Sequence, residues 1–316
     1  MKYHYKDVFL IPNYSELFSR TKASTFVDFG PRSFLIPVIP ANMKCSIDLD
    51  TAKMLDKLSC FYILHRFDID IHDFVRTANK EKMKCVSISV GVNKTDYDVL
   101  EKIKEDGLRV DYITVDVAHG HHILVKQMLT YLKENFKKTF LIAGNIVTEQ
   151  AAKDLTSWGA NALKVGIGQG YVCTTKDKTG FTFPMFSCVS ELSKKYNVIA
   201  DGGIRCTGDI AKALAAGAKM VMCGSVFARL KNSPAKTILN PIDNKKYKEY
   251  YGSASFQNKG NNKNIEGKTE LVEIEEKSYL DKIKEIQEDL QSAISYAGGV
   301  NVSCLKNAKW GLHITS

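Results

Sequence analysis

The segment Lys164-Val-Gly-Ile-Gly-Gln-Gly-Tyr-Val-Cys-Thr-Thr-Lys176 joins a short apolar strand to a glycine-rich loop that carries one cysteine. Glycines at alternate positions allow a backbone to turn tightly and to approach a ligand closely. Cys173 follows these glycines at once, beside two threonine hydroxyls. An isolated cysteine is more often a buried apolar residue than a reactive one, but a thiol on a polar loop at the end of a strand favours a catalytic role.

Short apolar runs of this kind occur eight times along the chain, and segments with helical periodicity lie between them. Continuous apolar strands that alternate with amphipathic helices indicate parallel strands buried on both faces. Eight such units predict an α/β fold, a (β/α)8 or TIM barrel. A doubly wound sheet is the alternative, but no dinucleotide fingerprint follows the first strand. The predicted strands are Ile36–Met43, Cys60–Phe67, Cys85–Gly91, Tyr112–Ala118, Phe140–Asn145, Ala162–Gly168, Val198–Gly203 and Met220–Phe227. The predicted helices include Leu49–Leu58, Asp96–Glu105, Ile123–Asn135, Thr148–Trp158, Met185–Lys195 and Thr207–Ala216, with caps expected at Thr148 and Thr207.

Residues 231–275 interrupt this alternation, because they are rich in lysine, asparagine and glycine. Long loops inside compact domains are usually functional or disordered. We therefore expect residues 1–316 to form one catalytic barrel domain, in which 231–275 is a mobile active-site flap after the eighth strand. A final amphipathic helix is expected from about Tyr279 to Ala293.

Composition limits the classes of protein to consider. The 316 residues carry a formal net charge of +9 and eight cysteines, without a Cys-x-x-Cys pair. Scattered cysteines predict reduced thiols and a cytoplasmic location, and neither a signal segment nor a bilayer-spanning apolar run is visible. The lysines lack the aromatic interleaving of nucleic-acid-binding motifs. We therefore expect neither nucleic acid nor a membrane as a partner, and we interpret the charge as a solvated surface that also attracts phosphorylated small molecules.

The active site of such a barrel lies at the C-terminal ends of its strands. Polar or glycine residues end the predicted strands, so they should converge on one mouth. Asp201-Gly202-Gly203 and Gly224-Ser225 end strands seven and eight, where backbone N–H groups commonly bind phosphate, and Asp201 is suited to hold sugar hydroxyls. Turn geometry alone also selects glycine. The other strand-end candidates are Asn42, His65, Arg66, Gly91, Asp116, His119, Gly144 and Asn145.

His119-Gly-His-His122 has the composition of a metal cluster. Zinc sites need three or four ligands at defined spacing, and no carboxylate or cysteine partner stands nearby in the sequence. Metal-dependent hydrolysis is therefore the disfavoured interpretation.

Cys173 needs activation before it can act as a nucleophile. Thr175 lies two residues further on and is placed to relay a proton, while Glu266 belongs to the segment expected to cover the barrel mouth. A glutamate in such a segment is also an ordinary surface charge. We predict that these three residues form the catalytic group.

Ordered motifs occur along almost the whole chain. They include Tyr5-Lys-Asp-Val-Phe-Leu-Ile-Pro12, Pro40-Ala-Asn-Met43, Asp116-Val-Ala-His-Gly120, Ala143-Gly-Asn145, Val165-Gly-Ile-Gly168, Val172-Cys-Thr-Thr175, Ile199-Ala-Asp-Gly-Gly-Ile204, Val221-Met-Cys-Gly-Ser225, Tyr250-Tyr-Gly-Ser-Ala-Ser255, Glu266-Gly-Lys268 and Leu290-Gln-Ser-Ala-Ile-Ser-Tyr296. At these motifs the chain resembles the inosine-monophosphate dehydrogenase and guanosine-monophosphate (GMP) reductase superfamily.

Two absences favour the shorter bacterial-type GMP reductase branch of this superfamily. The short helix between Phe67 and Cys85 leaves no room for the tandem regulatory (CBS) domain of the dehydrogenases, and residues 256–265 contain neither the arginine nor the tyrosine with which the dehydrogenase flap activates water. A dehydrogenase without its regulatory domain and a catalytically silent nucleotide-binding barrel are the alternatives.

The resemblance implies NADPH-dependent reductive deamination of GMP to IMP, with release of ammonia, through a thioimidate on Cys173. In that scheme, Thr175 and Glu266 help to protonate the departing ammonia. The resemblance also implies a homotetramer and a potassium site made of carbonyls of Gly168, Gly170 and Cys173. The implied substrate-binding residues are Asp201, Gly202, Gly203, Gly224, Ser225, Gly252, Ser253 and Gly267. The implied cofactor-binding residues are Ser19, Arg20, Arg66, Asp116, Val117, Ala118, Ile167, Gly168 and Tyr296.

One loop departs from the family pattern. Members usually have Gly-Pro-Gly where this chain has Gly168-Gln-Gly170, and Tyr171 replaces a serine that contacts phosphate in some relatives. Because proline restricts the backbone, its loss frees this loop. The departure bears on the cation site and on loop mobility more than on the chemistry.

Overall fold

Three short strands precede the barrel in the computed structural model, which describes residues 1–259 and 263–313. They are β1 (Val8–Ile11), β2 (Val27–Phe29) and β3 (Arg32–Phe34). The last two form an antiparallel hairpin, and its Phe29 and Phe34 rings pack on Tyr112, the first residue of a barrel strand. The hairpin therefore covers the N-terminal end of the barrel and leaves the C-terminal end open.

Seven parallel strands form the main sheet: β4 (Val38–Pro40), β5 (Ser87–Val90), β6 (Tyr112–Asp116), β7 (Phe140–Ile146), β8 (Ala162–Val165), β9 (Val198–Asp201) and β10 (Met220–Cys223). Their spatial order is β5-β6-β7-β8-β9-β10-β4, so the first strand of the sheet lies beside the last. Most strand residues are buried, as both-sided coverage by helices requires. This curled parallel sheet confirms the predicted TIM-barrel fold.

The second predicted strand, Cys60–Phe67, is reduced to a single bridge. Leu64 pairs in parallel with Ile88 of β5, on the edge that β6 leaves free. Its N–H donates to the Ser87 carbonyl (3.2 Å), and its carbonyl accepts from the Ser89 N–H (3.0 Å). The segment thus occupies the position of an eighth strand, although its paired length is too short to form one.

Helices connect the strands, and most of the predicted helices begin and end near their predicted residues. The Thr148 hydroxyl caps its helix by accepting from the Ala151 N–H (3.2 Å). The expected cap at Thr207 is wrong by one residue: Cys206 is the cap, and Asp209 accepts from its N–H (3.3 Å). The helices are α1 (Leu49–Lys57), α2 (Ile71–Lys80), α3 (Lys94–Glu105), α4 (Ile123–Asn135), α5 (Glu149–Trp158), α6 (Thr175–Thr179), α7 (Met185–Leu192), α8 (Thr207–Ala215), α9 (Ser225–Ala228), α10 (Phe256–Lys259) and α11 (Tyr279–Tyr296).

Residues 231–275, which form an excursion after β10, contain more regular structure than their composition predicts. Strands β11 (Thr237–Asn240), β12 (Lys245–Tyr251) and β13 (Thr269–Glu273) form an antiparallel sheet. In β12 the buried residues Lys248 and Tyr250 alternate with more exposed ones, a period-two pattern that its lysines hide. The mobility of the excursion stays a prediction, and residues 260–262 lie outside the described residues.

The C-terminal part returns to the start of the chain. Helix α11 continues three residues beyond the predicted end at Ala293. Strand β14 (Lys309–Leu312) then pairs antiparallel with β1. Within the described ranges, no helix combines the length and the apolar character needed to cross a bilayer.

Candidate active site

A cavity of about 510 Å³ opens at the C-terminal ends of the barrel strands. Its wall combines strand ends, the glycine-rich loop after β8 and the segment that follows β12. The cavity therefore gathers most of the residues that the sequence singled out. The predicted site residues that line it are Asn42, Asn145, Cys173, Thr175, Glu266, Asp201, Gly202, Gly203, Gly224, Ser225, Gly252, Ser253, Arg66, Asp116, Val117, Ala118, Ile167, Gly168 and Gly170. The strand-end candidates His65, Gly91, His119 and Gly144 do not line it.

Cys173, Thr175 and Glu266 form a continuous hydrogen-bonded line. The Cys173 thiol lies 3.2 Å from the Thr175 hydroxyl, and that hydroxyl donates to a Glu266 carboxylate oxygen at 2.7 Å. The cysteine is half-buried, so a ligand in the cavity can reach its sulfur. A thiol, a hydroxyl and a carboxylate in series provide a route for a proton between the nucleophile and an acid or base.

Backbone pairing between two loops places Glu266 on this line. Cys173 and Gly267 form an antiparallel bridge. On either side of it, the Thr174 N–H donates to the Glu266 carbonyl and the Lys268 N–H donates to the Val172 carbonyl, each at 2.9 Å. Gly267 does not line the cavity itself. Glycine is favoured at this position because a Cβ atom would lie 3.0 Å from the Gly252 Cα. The excursion is thus joined to the cysteine loop.

The buried thiols differ from Cys173 in their surroundings. Cys45, Cys60 and Cys188 are buried, and burial raises their pKa values to about 11, 12 and 12. A buried thiol with such a pKa is not a nucleophile at neutral pH. Among the described residues, Cys173 is the cysteine that lines the cavity.

Asp201 lies at the end of β9 with one carboxylate oxygen already engaged. Its Oδ2 accepts from the Lys164 ammonium (2.6 Å) and from the Asn145 side-chain amide (2.8 Å). Gly166 must be glycine beside it, because its φ is +141° and a Cβ atom would lie 1.9 Å from the Asp201 carbonyl oxygen. The remaining oxygen, Oδ1, is suited to accept from a ligand hydroxyl.

The glycine turn after β9 contacts the glycine-rich loop. Gly202 and Gly203 have φ values of +110° and +81°, which favour glycine. The Gly203 N–H donates to the Gln169 carbonyl (3.0 Å), so this donor is already used and is not free for phosphate. At the neighbouring strand end, Gly224 makes room for Tyr250, whose hydroxyl would be 2.2 Å from a Cβ atom there.

Arg205 adds a cation to this end of the cavity that the sequence analysis missed. Its guanidinium lies over the Tyr171 ring, 5.2 Å from the centroid, and donates to the Gln169 carbonyl (3.4 Å). No carboxylate in the described part of the chain pairs with it. The Ile-Arg pair directly after Asp-Gly-Gly was the available signal, since an arginine beside a predicted phosphate turn suits anion binding.

Lys164 is the second functional candidate that the sequence analysis left without a role. It is 4% exposed, and its ammonium lies 3.0 Å from Asp116 Oδ1 and 2.6 Å from Asp201 Oδ2. Burial opposes its charge, but the two carboxylates outweigh burial and raise the pKa of Lys164. Burial likewise opposes ionisation of Asp116, while the ammonium lowers the pKa of that carboxyl. A lysine inside an apolar strand was the signal, because such a charge needs a partner.

The predicted cofactor residues fall into two groups. Arg66, Asp116 and the backbone that follows Asp116 line the cavity. Within the described chain the buried Arg66 Nε has no hydrogen-bond partner, so this wall can accept a further polar ligand. Arg20 and Tyr296 contact each other instead, with the guanidinium 5.3 Å from the ring centroid; neither these two nor Ser19 lines this cavity.

Of the three carbonyls predicted to bind a cation, one is already engaged in a hydrogen bond. Gly168 has a φ of +74°, which suits a tight carbonyl-presenting turn. The Gly170 carbonyl already accepts from the Cys173 N–H at 3.2 Å. Hard cations bind oxygen ligands, so Gly168 and Cys173 fit such a site better than Gly170 does.

The histidine cluster has structural contacts. The His121 ring lies 2.8 Å from Asp154, and the His122 ring accepts from the Leu124 N–H at the start of α4 (3.2 Å). Across residues 1–259 and 263–313, no group of three or more histidine, cysteine, aspartate or glutamate side chains is arranged to hold a metal ion.

Known proteins resemble this chain over nearly its whole length. The model of the IMP dehydrogenase / GMP reductase domain family matches residues 2–315. A GMP reductase of Mesoplasma florum is 44% identical over 99% of this chain and 98% of its own length. GMP reductases of Leptothrix cholodnii and Chromobacterium violaceum are 44% and 45% identical, over 98% and 97% of this chain and 95% and 96% of their own lengths.

Proposed function

Because the chain belongs to the IMP dehydrogenase / GMP reductase family, we propose that it catalyses the NADPH-dependent reductive deamination of GMP to IMP, a step of purine nucleotide interconversion. The observation that carries this proposal is the line from Cys173 through Thr175 to Glu266 at the mouth of the cavity. The sequence between Ser255 and Glu266 contains no arginine or tyrosine, which favours reduction over hydrolysis of the covalent intermediate.

The Cys173 sulfur attacks C2 of the guanine ring, and the exocyclic amine leaves as ammonia. Thr175 and Glu266 supply a proton to that leaving group, so the base becomes attached to sulfur as a thioimidate. NADPH, when bound, supplies the hydride that C2 receives. The carbon–sulfur bond then breaks, the thiolate is restored and IMP is released. A covalent intermediate thus divides one difficult substitution into two easier steps.

The two ends of the cavity hold the nucleotide. Asp201 accepts from ribose hydroxyls, and Gly224 and Ser225 donate to the phosphate at the next strand end. Arg205 adds a charge-assisted contact to that phosphate, which offsets the loss of the Gly203 N–H to Gln169. The base then lies against Ser253 and Gly252, within reach of Cys173. The dinucleotide is assigned to the wall of Arg66, Asp116, Val117, Ala118, Ile167 and Gly168.

Three further proposals rest on the family resemblance. A potassium ion on the carbonyls of Gly168, Gly170 and Cys173 would hold the glycine-rich loop in its reactive shape. A homotetramer would give Ser19, Arg20 and Tyr296, which do not line the cavity of their own chain, a place to contribute. A cytoplasmic location suits the reduced thiols that the mechanism needs.

Absorbance of NADPH at its nicotinamide band tests the function directly. Purified protein should consume NADPH only when GMP is present and should release ammonia and IMP. Cys173→Ala should abolish this consumption, whereas Cys206→Ala, which removes an exposed thiol, should not. Formation of NADH or NADPH from IMP, without any GMP-dependent oxidation, would instead identify a dehydrogenase.

Glu266→Gln separates proton transfer from binding. Loss of a positioned acid or base typically costs about 10²- to 10⁴-fold in rate, so kcat should fall by this order. The affinity for GMP, measured by calorimetry, should change little. A collapse of GMP binding in this variant would remove Glu266 from its assigned role.

A further inference from the structure

We propose that Lys164 is a positioning residue for this reaction: its ammonium holds the carboxylates of Asp116 and Asp201 and directs them into the two halves of the cavity, so that nucleotide and cofactor are recognised through one shared charge. The inference rests on the proposed function for the assignment of the two halves. Lys164 itself does not belong to the catalytic line and has no role in the scheme above.

The geometry places Lys164 between the two half-sites. Lys164 is on β8, and its partners Asp116 and Asp201 end β6 and β9 on either side. Both carboxylates approach the same nitrogen atom, at 3.0 and 2.6 Å. The remaining contacts are amides: Asn42 donates to Asp116 (3.0 Å) and Asn145 donates to Asp201 (2.8 Å).

The chemistry of this arrangement depends on the ammonium. Two carboxylates that approach the same nitrogen repel each other once that cation is removed. Each carboxylate would then move away from the other and lose its direction into the cavity. Asp201 would bind ribose hydroxyls less well, and Asp116 would bind the cofactor less well.

The other ionisable groups near the pair do not replace Lys164. The positive charge of Arg66 also lowers the pKa of Asp116, but no ion pair joins the two side chains. Tyr5, Cys223 and Tyr250 lie near Asp201, and burial raises the pKa of each of them, so they stay neutral in the neutral pH range. Among the described residues, Lys164 is therefore the cation that both carboxylates contact.

Steady-state kinetics of Lys164→Met, Lys164→Arg and Lys195→Met between pH 6 and 9 test the proposal. Lys164→Met should raise KM for both GMP and NADPH by about 5- to 100-fold, the usual effect of leaving a buried polar group unpaired. KM for NADPH should also rise further as pH falls, because burial raises the pKa of the Asp116 carboxyl once the Lys164 ammonium no longer lowers it. Lys164→Arg should recover much of the loss, and Lys195→Met, which breaks an exposed ion pair with Glu149, should match the wild type.

A charge-matched double variant keeps the test valid if Lys164→Met folds poorly. Lys164→Met combined with Asp116→Asn removes one positive and one negative charge, so Asp201 is no longer repelled by a second, uncompensated carboxylate. KM for GMP should then return towards the wild-type value, while KM for NADPH stays high. A rise in only one KM for Lys164→Met, an unchanged pH profile, or no recovery of GMP affinity in the double variant would each overturn the proposal.

The same variants separate this inference from the proposed function. A wild-type protein that shows no GMP-dependent NADPH oxidation contradicts the proposed function alone. In that case, calorimetric affinities for GMP and NADP⁺ replace the KM values, with the same expected pattern. Unchanged affinities for both ligands in Lys164→Met would refute the role of Lys164 whatever reaction the protein catalyses.

Discussion

Single side chains decide which chemistry this cavity can perform. Cys173 is half-buried in a polar loop, whereas the thiols inside the barrel have pKa values raised by burial. The Thr175 hydroxyl contacts Cys173 and in turn donates to the Glu266 carboxylate, which gives the sulfur a route for a proton. Nearby, Arg205 lies over Tyr171 at the end of the cavity to which the proposed function assigns the phosphate, and no carboxylate among the described residues pairs with it. Each of these features depends on the position of a single side chain, so each can be tested by a point substitution.

Arg205→Gln should weaken the binding of GMP more than that of guanosine. Hydrogen bonds to charged groups contribute enough that their loss raises KM by about tenfold, and guanosine carries no phosphate to lose contact with. Steady-state NADPH consumption with both substrates measures the difference, and kcat for GMP should change little. Arg76→Gln, on the surface of α2, is the control. Equal losses for GMP and guanosine would show that Arg205 does not contact the phosphate.

His65 makes the stability of the barrel depend on pH. The ring is 4% exposed and accepts from the Phe67 N–H (3.2 Å); burial, helped by the charge of Lys44, lowers its pKa from 6.5 to about 4. Between these values the unfolded chain binds a proton that the folded chain does not, so stability decreases as pH falls through this window and is complete above it. The loss amounts to about 3 kcal/mol.

Urea unfolding of His65→Gln and wild type at several pH values between 7.5 and 4.5 checks this. The difference in unfolding free energy between them should shrink as pH falls, because only the wild type loses the contribution of a neutral buried ring. His119→Gln, at an exposed position, should follow the wild type. A parallel pH dependence for all three proteins would contradict the assignment.

At the scale of elements, the site is made by joining the excursion to the cysteine loop. The loop after β8 and the segment before β13 pair through Cys173 and Gly267, and two backbone hydrogen bonds of 2.9 Å flank this bridge. Glycine favours this close approach of the two segments, since a Cβ on Gly252 would lie 3.0 Å from the Gly267 Cα. The position of Glu266 is thus a property of backbone pairing between two segments.

Lys268→Pro should uncouple the two segments. Proline lacks the N–H that donates to the Val172 carbonyl, so Glu266 should move away from Thr175 and kcat should fall by about 10²-fold. Lys268→Ala removes the same side chain and keeps the N–H, so it should retain activity. Both variants should keep the melting temperature of the barrel, because the bond lies outside its core. Equal activity of the proline and alanine variants would show that this pairing does not position Glu266.

At the scale of the whole molecule, the barrel is covered at its N-terminal end and open at its C-terminal end. The β2–β3 hairpin covers the N-terminal end, and the strand ends, the glycine-rich loop and the excursion surround the cavity at the other end. Ser19, Arg20 and Tyr296 lie outside this wall, so the chain alone does not bring all predicted cofactor residues to one cavity.

The whole-molecule prediction is a tetramer. Light scattering in solution should give a mass close to four times the 35.3 kDa of one chain. If the assembly supplies the missing cofactor residues, Arg20→Ala should raise KM for NADPH and leave KM for GMP nearly unchanged. A monomer with full activity would contradict both expectations.

Much of the fold follows from local pattern. The barrel was predictable because its signals lie in consecutive residues. These signals are the periodicities of strands and helices and the glycine or polar residues that end each strand. The same rule placed Asp201 and Gly224 at neighbouring strand ends. The pattern failed for Cys60–Phe67, whose apolar run forms one bridge instead of a strand, and for β12, whose lysines concealed an alternating strand.

The sequence by itself determined the fold class, the end of the barrel that carries the cavity and the choice of Cys173 as the candidate nucleophile. Only the tertiary structure decided that Glu266 contacts Thr175 across 91 positions of sequence, that Lys164 lies between Asp116 and Asp201, and that Arg205 lies over Tyr171 beside the glycine-rich loop. Periodicity is a property of neighbouring residues, so it can be recognised in the sequence alone. A contact between distant side chains depends on the closure of the barrel and on how loops pair across its mouth, and no local pattern records either.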